Sequence, residues 1–218
     1  MDHTSDHTPA VHTPRDPRDI QDLWDQRYAG AENLWSGQPN ATLVAELEGM
    51  RPGRILDVGC GEGADALWLA AHGWDVTALD VSQVALNRAS ERGDALGLQV
   101  RWLHAGLAEA ELAPGSFDVV SAQYPALLRT DDAAAERALI DAVAPNGVLL
   151  VVHHSLPSVE QAAAHGFHPE GYVSPADVAA RLDDSWTVEI DEIRPRHVST
   201  GAGAHHTEDV VLRARRQP

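Results

Sequence analysis

Short apolar runs alternate with stretches of helical spacing along this chain. The run Val148-Leu149-Leu150-Val151-Val152 is apolar at every position, which suits a central strand covered on both faces. Residues 55–58, 75–79, 99–104 and 118–122 supply four more strands. Between them the pattern predicts a helix from Ala64 to a stop at His72-Gly73, a second behind an N-capping Ser82, and a third over residues 132–144 ended by Pro145. Such alternation predicts an α/β, doubly wound, mostly parallel sheet. Farther on, Pro175-Ala176-Asp177 opens a short helix. Trp186, Val188 and Ile190 then alternate with Thr187, Glu189 and Asp191, the period of a half-buried strand, and a last strand is predicted over residues 207–213.

The first strand runs straight into Gly59-Cys60-Gly61-Glu62-Gly63 and then a helix. A turn of this kind brings a ligand against bare backbone and points free N–H groups at it. The spacing alone leaves the ligand open, because Gly59, Gly61 and Ala64 also satisfy the dinucleotide pattern, with Asp80 where a ribose-binding acid belongs. Charge separates the two readings. Asp57 and Glu62 would oppose a pyrophosphate at short range, whereas a cationic ligand that also carries a ribose suits them.

At 218 residues the chain fits one domain that buries roughly 70% of its unfolded surface. Acidic residues number 33 against 16 basic, a net charge of −17, and every basic residue is arginine. That balance disfavours nucleic acid and anionic membranes as partners, since both need a basic face. One cysteine, Cys60, excludes an internal disulfide, and no stretch has the length of a signal core or a transmembrane span, so a cytoplasmic location is expected. Residues 1–18, with Pro9, Pro14 and Pro17 and three histidines, are expected to be a disordered tail. Residues 19–218 form the single domain, with a helical lid over 19–50 and a polar, substrate-side insertion over 155–174.

The segment ILDVGCGEGADALWLAAHGWDVTALDVS, residues 55–82, resembles the class I S-adenosylmethionine-dependent methyltransferases. The resemblance implies a Rossmann-like, seven-stranded sheet closed by a C-terminal antiparallel hairpin, with S-adenosylmethionine as cofactor. It implies cofactor contacts from Asp57, Gly59, Cys60, Gly61, Asp80 and Val81. After the third strand, Gly106 and Leu107 stand where the family commonly has an acid and a small or apolar residue against the adenine, so Gly106 is a departure. Gln123, past the fourth strand, is implied on the cofactor side and Tyr124 on the acceptor side. The segment with Trp24, Tyr28 and Trp35 loosely resembles thiopurine and tellurite-resistance methyltransferases, in which early aromatic residues fold over the ligands. That role passes to Tyr28 and Trp35.

His153-His154 follows the fifth strand at the sheet edge where ligands bind. Histidines there serve as general bases or orient an acceptor, and only one of two adjacent strand residues faces the site. With an activated sulfonium methyl, orientation carries more weight than proton transfer. The expected function is methyl transfer to a small-molecule acceptor, a thiol, amine, hydroxyl or metalloid, by a monomer or homodimer. The alternative is a histidine-based metal-binding protein or a non-catalytic cofactor sensor on the same scaffold. Twelve histidines, with pairs at 153–154 and 205–206, motivate it, although no CxxC pair supports a metal site and none is assigned.

Overall fold

The computed structural model describes residues 17–32, 34–155, 169–196 and 206–218. Two helices precede the sheet, α1 (Pro17–Ala29) and α2 (Ala41–Leu47). The core follows as β1 (Arg54–Val58), α3 (Ala64–Ala71), β2 (Asp75–Asp80), α4 (Gln83–Leu96), β3 (Arg101–His104), β4 (Phe117–Gln123), α5 (Ala134–Ala142) and β5 (Val143–His154). A 3-10 turn at Pro169–Gly171 leads to α6 (Pro175–Ala179), β6 (Trp186–Pro195) and β7 (Glu208–Arg216).

The strands form one sheet in the order β3-β2-β1-β4-β5-β7-β6. β1 to β5 are parallel, and β7 lies antiparallel between β5 and β6. It is the Rossmann-like, seven-stranded sheet with a closing antiparallel hairpin. From β1 the chain winds outward to β3 and then crosses back to place β4 on the other side of β1. Connections therefore leave β1 and β4 in opposite directions, and a crevice opens at their carboxyl ends. Both sheet faces are covered: Leu56, Val58, Val120, Leu149 and Leu212 pack on α5 and α6, and Ile55, Val119, Leu150 and Val211 on the side of α2 and α3.

Several local signals act as read. Gly73 takes the left-handed conformation after α3, the Ser82 hydroxyl accepts the Ala85 N–H at 3.1 Å, and Ser174 with Asp177 makes a capping box at α6. Other boundaries differ. Helix α1 begins at Pro17, so Pro17 and Arg18 belong to the helix and not to a tail; proline suits the first helical position, where its missing N–H costs nothing. The third helix ends at Ala142, short of the expected Ala144, and β5 starts at once with Val143. Val143 pairs with Phe117 and Val148 with Val119, so residues 144–147 make an excursion within the strand, with Asn146 left-handed. In β6 the alternation breaks at Glu189, which is the extra residue between the Val188–Ala214 and Ile190–Arg213 pairs. The extra residue splits the expected face, since Trp186 packs on one core cluster and Ile190 on the other, while Val188 is 47% exposed. The tail of residues 1–16 and most of the 155–174 insertion, residues 156–168, lie outside the described residues.

Candidate functional site

A cleft of about 480 Å³ opens at the carboxyl edge of β1, β2 and β4. Tyr28, Trp35, Asp57, Gly59, Cys60, Gly61, Asp80, Val81, Gly106, Leu107, Gln123, Tyr124 and His154 all line it. His153 does not line it, as expected for one of two adjacent strand residues.

The glycine turn divides its duties. Gly61 has a φ of 53°, and a Cβ there would lie 2.7 Å from the Tyr28 hydroxyl, so that hydroxyl rests on bare backbone. Gly63, at φ 77°, is outside the cleft wall; a Cβ would meet Ala89 at 2.8 Å and Trp102 at 2.9 Å, so this glycine lets α4 and β3 approach. Asp80 ties the turn to β2, because Oδ2 accepts the Gly61 N–H and Oδ1 the Ser82 N–H, both at 2.8 Å. Each oxygen retains acceptor capacity.

Three buried carboxylates gather here, Asp57, Asp65 and Asp80. Burial raises all three above the ordinary carboxylate range; for Asp57 the neighbouring Asp65 and Asp80 raise it further, and for Asp80 the two backbone donors pull it back. Asp65 is satisfied by Asn40, whose N–H and side-chain amide donate at 2.6 and 2.7 Å. Asp57 is not, since its Oδ2 is buried without a hydrogen-bond partner. Gln123 repeats the pattern: Nε2 donates to the Ser121 hydroxyl at 3.0 Å while the buried Oε1 has no partner. Cys60 is buried in the wall, and burial pushes its thiol up.

Glu62 has another role than its place in the turn suggests. Oε1 receives Arg88 at 2.9 Å, and Oε2 accepts the N–H groups of Leu34 and Trp35 at 3.3 and 3.4 Å. Its charge is neutralised by α4 and spent on the segment above, so the argument for a cationic ligand falls on Asp57. That segment is also held by the Trp35 indole donating to the Tyr28 hydroxyl at 2.9 Å, by Trp24 against both rings, and by Asp25, which accepts the Ser82 hydroxyl at 2.6 Å.

At Gly106 the missing side chain is replaced from elsewhere. The Glu109 carboxylate folds back into the volume a Cβ at position 106 would fill, and Glu109 lines the cleft. At the opposite end stand Tyr124, left-handed at φ 53°, and His154, with ring centroids 4.2 Å apart. Behind them lie Asp209 and Arg196, which the sequence pattern does not single out. His206 stacks on His154 at 3.8 Å, while His205 falls outside the described residues. Among the described residues there is no group of three or more His, Cys, Asp or Glu able to hold a metal, and no helix is long and apolar enough to cross a membrane.

Comparison with known proteins agrees with this geometry. The family model for a methyltransferase domain matches residues 55–147. The chain is 35% identical over 131 residues to ribosomal RNA small subunit methyltransferase C of Alcanivorax borkumensis, covering 56% of this chain and 39% of that protein. It is 37% identical over 111 residues to an uncharacterized methyltransferase of Mycobacterium tuberculosis, covering 51% and 55%. The chain thus spans about half the length of these curated relatives, or less. A solved structure concerned with conversion of a disulfide bond into a thioacetal group during echinomycin biosynthesis superposes with a TM-score of 0.71 at 26% identity, covering 91% of this chain and 92% of the other. The 1,6-didemethyltoxoflavin-N1-methyltransferase of Burkholderia thailandensis shares the fold, with a TM-score of 0.67 at 18% identity over 95% and 93% of the two chains.

Proposed function

From the premise that the chain belongs to the class I S-adenosylmethionine-dependent methyltransferases, we propose that it moves a methyl group to a small-molecule acceptor. The observation that carries this reading is the Asp57 carboxylate, buried at the end of β1 in the cleft wall with an unpartnered oxygen. A buried acceptor of this kind costs about 1–3 kcal/mol until a donor reaches it, and a cationic ammonium is the donor its charge selects. A pyrophosphate would meet three carboxylates instead.

The residues fit the cofactor as follows. Asp57 takes the ammonium of the amino-acid portion, helped by the Gln123 carbonyl oxygen, and the Gly59–Gly61 backbone lies against its chain. Asp80 accepts from the ribose hydroxyls. The adenine rests beyond it on Val81, Gly106 and Leu107, with Glu109 supplying the carboxylate that position 106 lacks. Tyr28 and Trp35 close over the turn as part of a lid. When bound, S-adenosylmethionine supplies a methyl group already activated by a positive sulfonium. Tyr124 and His154 then hold the acceptor in line, and positioning accounts for much of the acceleration. His153 supports the wall from behind.

A small acceptor in the cytoplasm is favoured over nucleic acid by the net charge of −17. The ribosomal RNA enzyme named above shares its match over only part of its length. Calorimetry with S-adenosylmethionine, S-adenosylhomocysteine and NADH tests the reading: the first two bind and the third does not, and tight NADH binding would overturn it.

A further inference from the structure

A second cavity, of about 320 Å³, lies beside the cleft, lined by Arg129, Thr130, Glu136 in the first turn of α5, Asp177 of α6, Ala180 and Arg181. Arg129 and Thr130 line the cleft as well, so the two spaces share a wall. Nothing in the cofactor and acceptor roles assigned above uses this cavity.

Its charged groups are unevenly satisfied. Asp177 Oδ2 accepts the Ser174 N–H and hydroxyl at 2.8 and 2.6 Å and Arg129 at 2.5 Å. Glu136 lacks such partners. The residue is 2% exposed, its Oε2 is buried without a hydrogen bond, and its Oε1 meets Arg181 Nε at 3.7 Å, beyond hydrogen-bond reach. That Arg181 side chain is 47% exposed and makes no other polar contact among the described residues, although a guanidinium carries five donors. A buried acceptor left in this state is costly until a donor reaches it. A molecule placed between the two must therefore donate to Glu136 and accept from Arg181.

Charge then selects the class of molecule. Two carboxylates and two guanidiniums line the cavity, which leaves it without net charge. A metal cation would meet the arginines at short range and an inorganic anion the carboxylates, so neither suits it. A ligand bearing both signs does. We propose that the cavity binds a free α-amino acid, whose ammonium donates to Glu136 Oε2 and whose carboxylate takes the planar fork of Arg181. The two charges of an α-amino acid are one carbon apart, which matches a carboxylate and a guanidinium that stand side by side. At about 320 Å³ the space is roughly ten times the ~30 Å³ share of one water, so a side chain also fits, against Thr130 and Ala180. The site does not depend on what the neighbouring cleft binds. Through Arg129 and Thr130, its occupant shares a wall with the acceptor end.

The test titrates glycine, L-leucine, L-glutamine and L-histidine separately, by calorimetry, into the full chain saturated with S-adenosylhomocysteine, which keeps them out of the cofactor's own amino-acid subsite. At least one should bind with a Kd below about 1 mM. Its N-acetyl and methyl ester derivatives each lose one of the two charges and should bind about tenfold more weakly or worse. Glu136→Gln and Arg181→Ala should each cost about tenfold in amino-acid affinity while S-adenosylhomocysteine affinity stays within about threefold. Glu136 is buried, so Arg181→Ala decides if Glu136→Gln fails to fold. No binding of any of the four, equal binding of the N-acetyl form, or unchanged affinity in Arg181→Ala overturns the site and leaves a cavity that holds water only. Loss of S-adenosylhomocysteine binding in the parent protein would instead overturn the methyltransferase reading, with the comparison between parent and Arg181→Ala still deciding the amino-acid site.

Discussion

Asp80 holds Gly61: the carboxylate at the end of β2 accepts the turn's N–H at 2.8 Å. One side chain therefore both shapes the turn and faces the cleft. Asp80→Ala should weaken S-adenosylhomocysteine by about 1.5–3 kcal/mol through lost charge-assisted bonds to the ribose, and should also lower the melting temperature. Asp80→Asn, which keeps an acceptor, should restore most of the melting temperature but less of the affinity. Calorimetry and thermal melts separate the two, and unchanged affinity in both variants would remove Asp80 from the site.

Burial first, then Asp65 and Asp80, hold the Asp57 carboxyl well above the usual carboxylate range. Folded Asp57 keeps its proton longer than the unfolded chain does. The ligand-free protein should therefore lose stability as pH rises from the unfolded carboxylate range through the folded pKa. Binding runs the other way, because only the ionised form attracts a cation, and affinity for S-adenosylmethionine should fall as pH is lowered through the same window. Asp57→Asn should raise the ligand-free melting temperature at neutral pH while weakening the cofactor about tenfold or more. A variant that binds as tightly as the parent, with the same pH profile, would refute this.

Leu43 and Leu47 of α2 are buried in the core, so residues 41–47 of the expected 19–50 lid are core packing instead. Residues 20–40 should behave as a lid. Glu62, Tyr28 and Asp25 fix it through a handful of polar contacts, which are weaker than core packing and open locally. S-adenosylhomocysteine should slow hydrogen exchange at residues 20–40. Equal protection with and without ligand would make the segment ordinary packing.

Glu109 should read the adenine amino group. The parent protein should bind S-adenosylhomocysteine about tenfold tighter than its deaminated analogue, S-inosylhomocysteine, and Glu109→Ala should abolish the preference. Gly106→Asp combined with Glu109→Ala should return it, since the two carboxylates compete for one volume. A preference that survives Glu109→Ala would assign recognition to backbone groups.

The first strand, its glycine turn and Asp80 are legible from the chain alone because their chemistry is local: apolar run, turn and acid lie within residues 55–80. Glu62 misleads for the complementary reason, since the Arg88 that cancels it sits 26 residues away on α4. Asp209 looks like any polar residue of an alternating strand and gains meaning only from its register opposite His154. The β5 excursion is invisible for a similar reason, because Pro145-Asn146-Gly147 reads as a break in any pattern, while strand pairing on both sides of it depends on β4.

The clasp between α2 and the closing hairpin bears on how the protein is made. Glu46 receives Arg194 at 2.7 Å and Arg213 at 3.0 Å, and Thr42 reaches Asp209 across 167 positions of sequence. Contacts of such separation form late and slowly. On a ribosome, β1, its turn and β2 can pair while the remainder is still being translated. Tyr124 and His154, by contrast, must wait for β7 to emerge before Asp209 reaches them. The nucleoside half of the cleft thus draws on residues close together and early in the chain, whereas the acceptor half is complete only when the last strand is in place.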